Sequence, residues 1–248
     1  MGRLRLTGRT AIVTGARGGL GAALANTLES MGVKVQRISR GDEWNPTNYE
    51  LLFLNAGFGM LQSSAKSFHN VADVQEMFDV NLLTPLRQAQ HALENGAVHV
   101  HVVGSVLSIV SAPLYALYAA SKHALRGWAY GAARELPGRV SISYPNGIAT
   151  AYFANLRGDA TLLAQYSEAV VHARHAYDTP EAVAAGILDG IRYGAREIIP
   201  TSYALEWFVR NGEDIRRMWH PGLTQPSVEH FDWWDAIASH YAEVCHGS

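Results

Sequence analysis

With one cysteine, Cys245, in 248 residues, no intrachain disulfide can form, and a reducing compartment is the natural setting. Long apolar runs are also missing: none approaches the ~20 residues that a membrane-spanning helix needs. No lysine- or arginine-rich run occurs and the formal net charge is −2, so the chain has no electrostatic grip on nucleic acid. Met1-Gly2-Arg3-Leu4-Arg5-Leu6 enters the first apolar run almost at once, which leaves no room for a secretory leader, and Leu6 stands where a myristoylation signal needs Ser or Thr. Cytoplasmic residence is therefore the expectation. Repeats and low-complexity linkers are absent as well.

What the chain does have is 48% hydrophobic residues, enough for a sizeable core in one domain. Runs suited to buried parallel strands fall near 10–14, 33–38, 51–54, 98–103, 140–144 and 197–199, and helical patterns separate most of them. Val74, Phe78, Leu82, Leu86, Ala89 and Leu93 recur at helical spacing over 71–94. Thr179-Pro180-Glu181 starts a second clear helix, with Val183, Ile187 and Ile191 on one face. Alternating strands and helices predict a doubly wound, Rossmann-like α/β sheet over residues 1–200. Residues 201–248 read as an aromatic-rich helical extension of the same domain, carrying Trp207, Phe208, Trp219, Phe231, Trp233, Trp234 and Tyr241.

Two segments carry chemistry. Thr10-Ala11-Ile12-Val13 runs into Thr14-Gly15-Ala16-Arg17-Gly18-Gly19-Leu20-Gly21 and then an apolar helix. Glycines let the backbone approach a diphosphate, and the amides at the helix start meet its charge. Further on, Tyr118-Ala119-Ala120-Ser121-Lys122 sets a phenol and an ammonium at i and i+4 on one helical face. A nearby cation favours phenolate and is expected to bring Tyr118 down from its ordinary pKa near ~10 toward the range useful for proton exchange.

Thr14-Gly-x-x-x-Gly-x-Gly21, Asn55-Ala56-Gly57, Asn81, Ser105 and Tyr118-x-x-x-Lys122 occur in the order and near the spacing of the short-chain dehydrogenase/reductase family, which the chain resembles over roughly residues 8 to 200. The resemblance implies a tetrad of Asn81, Ser105, Tyr118 and Lys122. Tyr118 would be the acid/base, Lys122 would also hold the nicotinamide ribose, and Ser105 would bond the reacting oxygen, with Ser108 and Ser111 as competitors. Pro85 cannot donate to the Asn81 carbonyl, which frees that carbonyl for a water leading to Lys122. The resemblance further implies cofactor contacts from Thr14, Gly15, Arg17, Gly19, Leu20, Gly21, Asn55, Ala56, Gly57, Tyr118 and Lys122, and from Pro145, Ile148 and Thr150. In that last segment Asn146 stands where relatives have glycine.

Relatives also place a helix, a third strand and another helix where this chain has only Gly41 to Glu50. Those elements cannot fit, so six core strands are expected with the usual third, edge strand absent. Trp44 could stack on an adenine there or cover the new sheet edge. At the end of the second strand Ser39 and Arg40 replace the carboxylate that would accept from a ribose 2′-hydroxyl, and with Arg17 they favour NADP(H) over NAD(H). Eleven histidines include His99 with His101 and His172 with His175, but no cysteine or carboxylate cluster completes a metal site, so none is expected.

Substrate is expected to meet Ser105, Leu107, Tyr115, Tyr152 and Phe153, with Phe58, Pro113 and Leu114 nearby, under a lid formed by 151–178 with Leu156, Leu162, Leu163 and Tyr166. These residues suggest a moderately apolar ketone, aldehyde or secondary alcohol. The small residues of the helix after Tyr118, and the contacts that relatives make through it, imply a homodimer or homotetramer. A non-catalytic NADP(H)-binding sensor or scaffold, and a sugar-nucleotide epimerase or dehydratase, are the competing readings.

Overall fold

The computed structural model describes residues 4–44, 46, 48–66, 70–152, 155–164 and 177–210, and of residues 207, 209 and 210 the backbone alone. Six strands form one parallel sheet: β1 (Thr10–Thr14), β2 (Lys34–Ile38), β3 (Leu51–Leu54), β5 (His99–Val103), β6 (Val140–Ser143) and β8 (Glu197–Ile198), in the order β2-β1-β3-β5-β6-β8. All six fall on the apolar runs of the sequence. In the centre, Val13 is in register with Arg37 on one side and Phe53 on the other. The sheet is doubly wound: α1 (Gly19–Ser30) and α5 (Pro180–Arg192) pack together on one face over Val13, Phe53 and Val103. The other face carries α2 (Val71–Phe78), α3 (Thr84–Glu94) and α4 (Ala116–Glu135), over Leu52, Val100 and Ile142.

β2 is the sheet edge. Lys34, Gln36 and Arg37 are exposed along it and only Ile38 is buried, so the run is less enclosed than its apolar content suggests. Charged side chains on an edge also discourage pairing with another chain. Between Arg40 and Leu51 the described residues form neither helix nor strand, and Gly41 turns the chain at φ +88°. Trp44 stands edge-on to His91 of α3, with ring centroids 6.3 Å apart, and Tyr49 Oη lies 3.3 Å from Nδ1 of the same histidine. Trp44 is thus packed against the helix layer beside α3.

The single helical pattern over 71–94 is interrupted. Asp79–Leu83 is a π-turn between α2 and α3, and Thr84 N–H donates to the Asp79 carbonyl. A wider turn just before Pro85 accommodates a residue that has no N–H to give. Asn70 and Thr179 cap α2 and α5 by accepting from Asp73 N and Ala182 N.

A second sheet was not foreseen: β4 (Met60–Leu61) pairs in parallel with β7 (Arg157–Gly158). Strands of two residues show no alternation and leave no signal in the sequence. Gly158, at φ +129°, could not be another residue, because a Cβ would fall 1.9 Å from the Leu61 carbonyl oxygen. The start of the expected extension is helical, α6 (Ser202–Arg210), and it buries Leu205 and Phe208 against the core, with Phe208 edge-on to Tyr144. Residues 211–248, with Trp219, Phe231, Trp233, Trp234 and Tyr241, lie outside the described residues, as do Phe153, Tyr166, His172 and His175.

The sheet interior holds a polar ladder. His99 Nδ1 lies 2.9 Å from the Gly138 carbonyl and its Nε2 2.7 Å from Ser141 Oγ; His101 Nδ1 lies 2.8 Å from the same Oγ and its Nε2 3.0 Å from Ser143 Oγ. A carbonyl can only accept, so His99 carries its proton on Nδ1. Ser141 then donates to His99 and accepts from His101 Nδ1, and Ser143 donates to His101 Nε2. Both rings are buried and neutral. Among the described residues no three His, Cys, Asp or Glu side chains are grouped to hold a metal ion, and no helix is long and apolar enough to cross a membrane.

Candidate active site

The carboxyl ends of β1, β3, β5 and β6 open on one cleft of about 710 Å³, which is where a doubly wound sheet binds its ligand. Of the residues expected at the site, Gly15, Gly19, Leu20, Arg40, Asn55, Ala56, Gly57, Ser105, Leu107, Tyr115, Tyr118, Lys122, Pro145, Ile148, Thr150 and Tyr152 line it. Thr14, Arg17, Gly21, Ser39 and Asn81 do not, nor do Pro113 and Leu114.

Thr14 acts behind the wall. Its buried Oγ1 accepts from Asn55 N at 3.0 Å and Ala56 N at 3.1 Å, while Asn55 Nδ2 donates to the Thr14 carbonyl at 3.1 Å. The glycine turn and the Asn55-Ala56-Gly57 turn are thereby joined. Gly21 lets them close up: a Cβ there would meet the Gly15 carbonyl oxygen at 2.2 Å. Gly15, at φ +67°, would press a Cβ on Asn55 and Ala56. The first turn of α1 has no side-chain cap and no acidic residue, so its amides are left for an anion from outside the fold. Glycine crowding, uncapped amides and cleft size together fit the diphosphate of a dinucleotide.

Tyr118 and Lys122 are buried one turn apart on α4, with Lys122 Nζ 5.8 Å from the centre of the Tyr118 ring. Lys122 Nζ donates to the Val103 carbonyl at 3.1 Å, and burial lowers its pKa to about 8. The expected depression of Tyr118 by this cation is not what the protein does. Burial raises the Tyr118 pKa, and hydrogen bonding to Tyr152 and Ser105 opposes that rise without cancelling it. Loss of solvent around the phenol disfavours its anion more than these hydrogen bonds favour it.

Ser105 is half-buried at the end of β5, where its Oγ accepts from Leu107 N at 3.1 Å. Its competitors are differently placed. Ser108 is buried and its Oγ accepts from Ser105 N at 3.0 Å, while Ser111 is exposed outside the cleft.

Asn81 lies on the π-turn, fully buried. Its Oδ1 accepts from Phe58 N at 3.0 Å, and its Nδ2 donates to the Phe58 carbonyl at 2.9 Å and to Ser121 Oγ at 3.3 Å. Ser121 in turn donates to the Tyr118 carbonyl at 2.7 Å. The Asn81 side chain therefore ties the end of β3 to the turn of α4 that bears Tyr118.

At the expected adenosine end the structure changes the picture drawn from sequence. The strand end lacks a carboxylate, but Asp42 folds back: its Oδ2 accepts from Ser39 N at 2.8 Å and its Oδ1 pairs with Arg17 Nη2 at 2.6 Å. Ser39 Oγ accepts from Arg17 N at 3.1 Å. Arg17 and Ser39 are thus engaged with the loop, and Arg40 alone of the three lines the cleft. A tight turn that returns a side chain three residues later leaves no mark beyond Gly41.

Sequence reasoning missed Arg157 and Asn155 and noted Asn146 only for its effect on a turn, although all three line the cleft. Arg157 lies over the Phe58 ring at 4.3 Å and donates to both Glu76 oxygens at 2.6 and 2.9 Å, and to Asp73 at 3.4 Å. No periodicity announces it, because the β4–β7 pairing brings it there. Tyr152, Leu156, Leu162 and Leu163 of the expected lid pack against the core around the cleft.

Fold and site define a doubly wound α/β protein with a buried Tyr-x-x-x-Lys pair at the carboxyl edge of its sheet. The family model described as short chain dehydrogenase matches residues 45–161, and over those residues the chain is similar to that family. A short chain dehydrogenase from Burkholderia cenocepacia J2315 in complex with NADP is 23% identical, with a TM-score of 0.67 over 84% of this chain and 96% of that one. A short chain dehydrogenase/reductase from Burkholderia phymatum in complex with NAD is 18% identical, with a TM-score of 0.67 over 85% and 97%. The aldohexose dehydrogenase of Thermoplasma acidophilum, in ligand-free form, is 18% identical, with a TM-score of 0.63 over 80% and 94%. No curated protein matches significantly.

Proposed function

We propose that this protein is an NADP(H)-dependent ketone or aldehyde reductase of a moderately apolar small molecule. The observation that carries this reading is Tyr118, buried in the cleft and hydrogen-bonded to Ser105, with Lys122 one turn away. The nicotinamide supplies a hydride to the carbonyl carbon when reduced, and accepts one from the alcohol carbon when oxidised. Ser105 holds the substrate oxygen and Tyr118 gives it the proton, so that carbonyl, hydride and proton sum to an alcohol. Lys122 restores charge balance as the phenol ionises and holds the ribose, and the Asn81 carbonyl serves its proton route to solvent. Phe58, Leu107, Tyr115 and Tyr152 form an apolar wall that excludes water from the reacting atoms.

Arg40 in the cleft supports NADP(H), since a guanidinium suits a 2′-phosphate and none of the described residues lining the cleft is acidic. Of the structures of similar fold, the one from Burkholderia cenocepacia carries NADP and the one from Burkholderia phymatum carries NAD. Calorimetric titration with NADPH and NADH, repeated on Arg40→Ala, tests this directly. NADPH is expected to bind at least tenfold tighter, a difference of about 1.4 kcal/mol, and to lose that advantage in the variant. Tyr118→Phe is expected to lower turnover on a carbonyl panel by roughly 10²–10⁴-fold while still binding cofactor. Unchanged turnover would refute the assignment of Tyr118, and cofactor binding without redox turnover on any carbonyl would favour a sensor.

A further inference from the structure

Asn146 lines the cleft in the segment after β6. Its backbone is tied on both sides. The Pro145 carbonyl accepts from Val106 N at 3.0 Å and the Gly147 carbonyl from Asp178 N at 3.2 Å. The Tyr177 ring fills the space a side chain at Gly147 would need, with 2.8 Å to a built Cβ. The carboxamide nitrogen, Nδ2, is buried and has no hydrogen-bond partner among the described residues. A buried donor without a partner is rare and costly, and in a ligand cleft it becomes useful once a ligand supplies the acceptor.

The bond from Val106 sets Asn146 against the turn that begins at Ser105. An asparagine side chain is short. With the reacting oxygen held at Ser105 and Tyr118, the second substrate oxygen that would suit so short a side chain is one on the carbon beside the reacting one. Ser105 and Tyr118 are already bonded to one another, so the amide donor is additional to them.

We propose that Asn146 is a specificity-determining residue whose carboxamide N–H binds a second substrate oxygen, adjacent to the reacting carbon. The substrate class is α-hydroxyketones, and vicinal diols in the reverse direction, in preference to ketones and alcohols without that oxygen. This rests on the reading of the cleft as a hydride-transfer site. A site that hydrogen-bonds a hydroxyl rejects the deoxy analogue strongly, because its own donor is then left unpaired.

The test compares 2-hydroxyacetophenone with acetophenone as substrates of the full chain with NADPH. The wild type is expected to favour the hydroxyketone by tenfold or more in kcat/KM beyond the ratio shown by Asn146→Ala and Asn146→Gly. The α-hydroxyl activates the carbonyl in all three proteins alike, so only the change in ratio counts. An unchanged ratio overturns the proposal. So does a variant that loses NADPH affinity with its ratio intact, which would give the amide to the cofactor. Calorimetry of 1-phenyl-1,2-ethanediol against 1-phenylethanol, each added to protein saturated with NADP⁺, reads the same preference without turnover. A diol preference lost in Asn146→Ala, with no reduction of either ketone, would sink the reductase reading and uphold the oxygen subsite. Equal affinities in wild type and variant would sink the subsite whatever the turnover.

Discussion

Asp42 decides how much positive charge the adenosine end offers. Its carboxylate engages Arg17 and the Ser39 amide, the same groups that a 2′-phosphate would recruit. A phosphate arriving there meets a competing anion, whereas ribose hydroxyls meet an acceptor. If NADP(H) is the cofactor, Asp42→Ala releases the Arg17 guanidinium. NADPH affinity is then expected to rise by up to about tenfold, roughly 1.4 kcal/mol, while NADH affinity does not. Calorimetry on the single variant checks this; a fall in NADH affinity with no gain for NADPH would make Asp42 the ribose acceptor and reverse the preference. At this scale the sequence was readable where a residue type is demanded by its place. Gly15 and Gly21 leave no room for a Cβ, and Tyr118 and Lys122 are one helical turn apart. It was not readable where a loop returns a side chain, as with Asp42, or where burial outweighs a neighbouring charge, as with the Tyr118 pKa.

The six strands of the sheet were legible because a strand buried on both faces is a continuous apolar run. The missing edge strand was legible because Gly41 to Glu50 carries the chain from β2 across β1 to β3 and is too short to hold a further strand with its flanking helices. The β4–β7 pair and the π-turn were not, since neither has a period. Inside β5 and β6, the chain puts histidine and serine where apolar residues would serve, and this has a pH signature. Burial lowers the His99 pKa to about 4 and takes His101 well below its ordinary 6.5, with His99 adding to the effect on His101. The folded protein therefore binds these protons less readily than the unfolded chain. Stability from the ladder is fully present above about pH 6.5 and is lost as pH falls toward about 4. His99 alone contributes roughly 3 kcal/mol at most, at 1.36 kcal/mol per pKa unit. Urea midpoints measured from pH 7 to pH 4 are expected to fall across that window. Ser141→Ala, which strips one partner from each ring, is expected to cost about 1–3 kcal/mol at pH 7. If His99→Leu/His101→Leu shows the same acid slope as the wild type, the slope belongs to other groups.

The sheet and cleft of the whole molecule follow from residues that meet within one chain, but the outer face of α4 does not. Ala120, Ala124 and Gly127 are exposed there, and a Cβ built on Gly127 or Gly131 meets nothing within 4 Å. Glycine inside a helix costs roughly 0.5–1 kcal/mol against alanine, and no contact among the described residues offsets it at these positions. Leu83, on the neighbouring π-turn, is 43% exposed. A homodimer through this face, which the resemblance implies, would explain both: small residues would let two helices approach, and the leucine would be covered. Gly131→Arg is then expected to convert the wild-type oligomer to monomer in light scattering, and Gly127→Ala to be tolerated or mildly disruptive. Since a side chain at Gly131 meets nothing among the described residues, the fold is expected to survive it, as judged by circular dichroism and cofactor titration. A wild type that already elutes as a monomer, or a Gly131→Arg protein that keeps its oligomeric mass, would move the subunit contact elsewhere. The two glycines would then be left as helix-weakening residues without a structural reason.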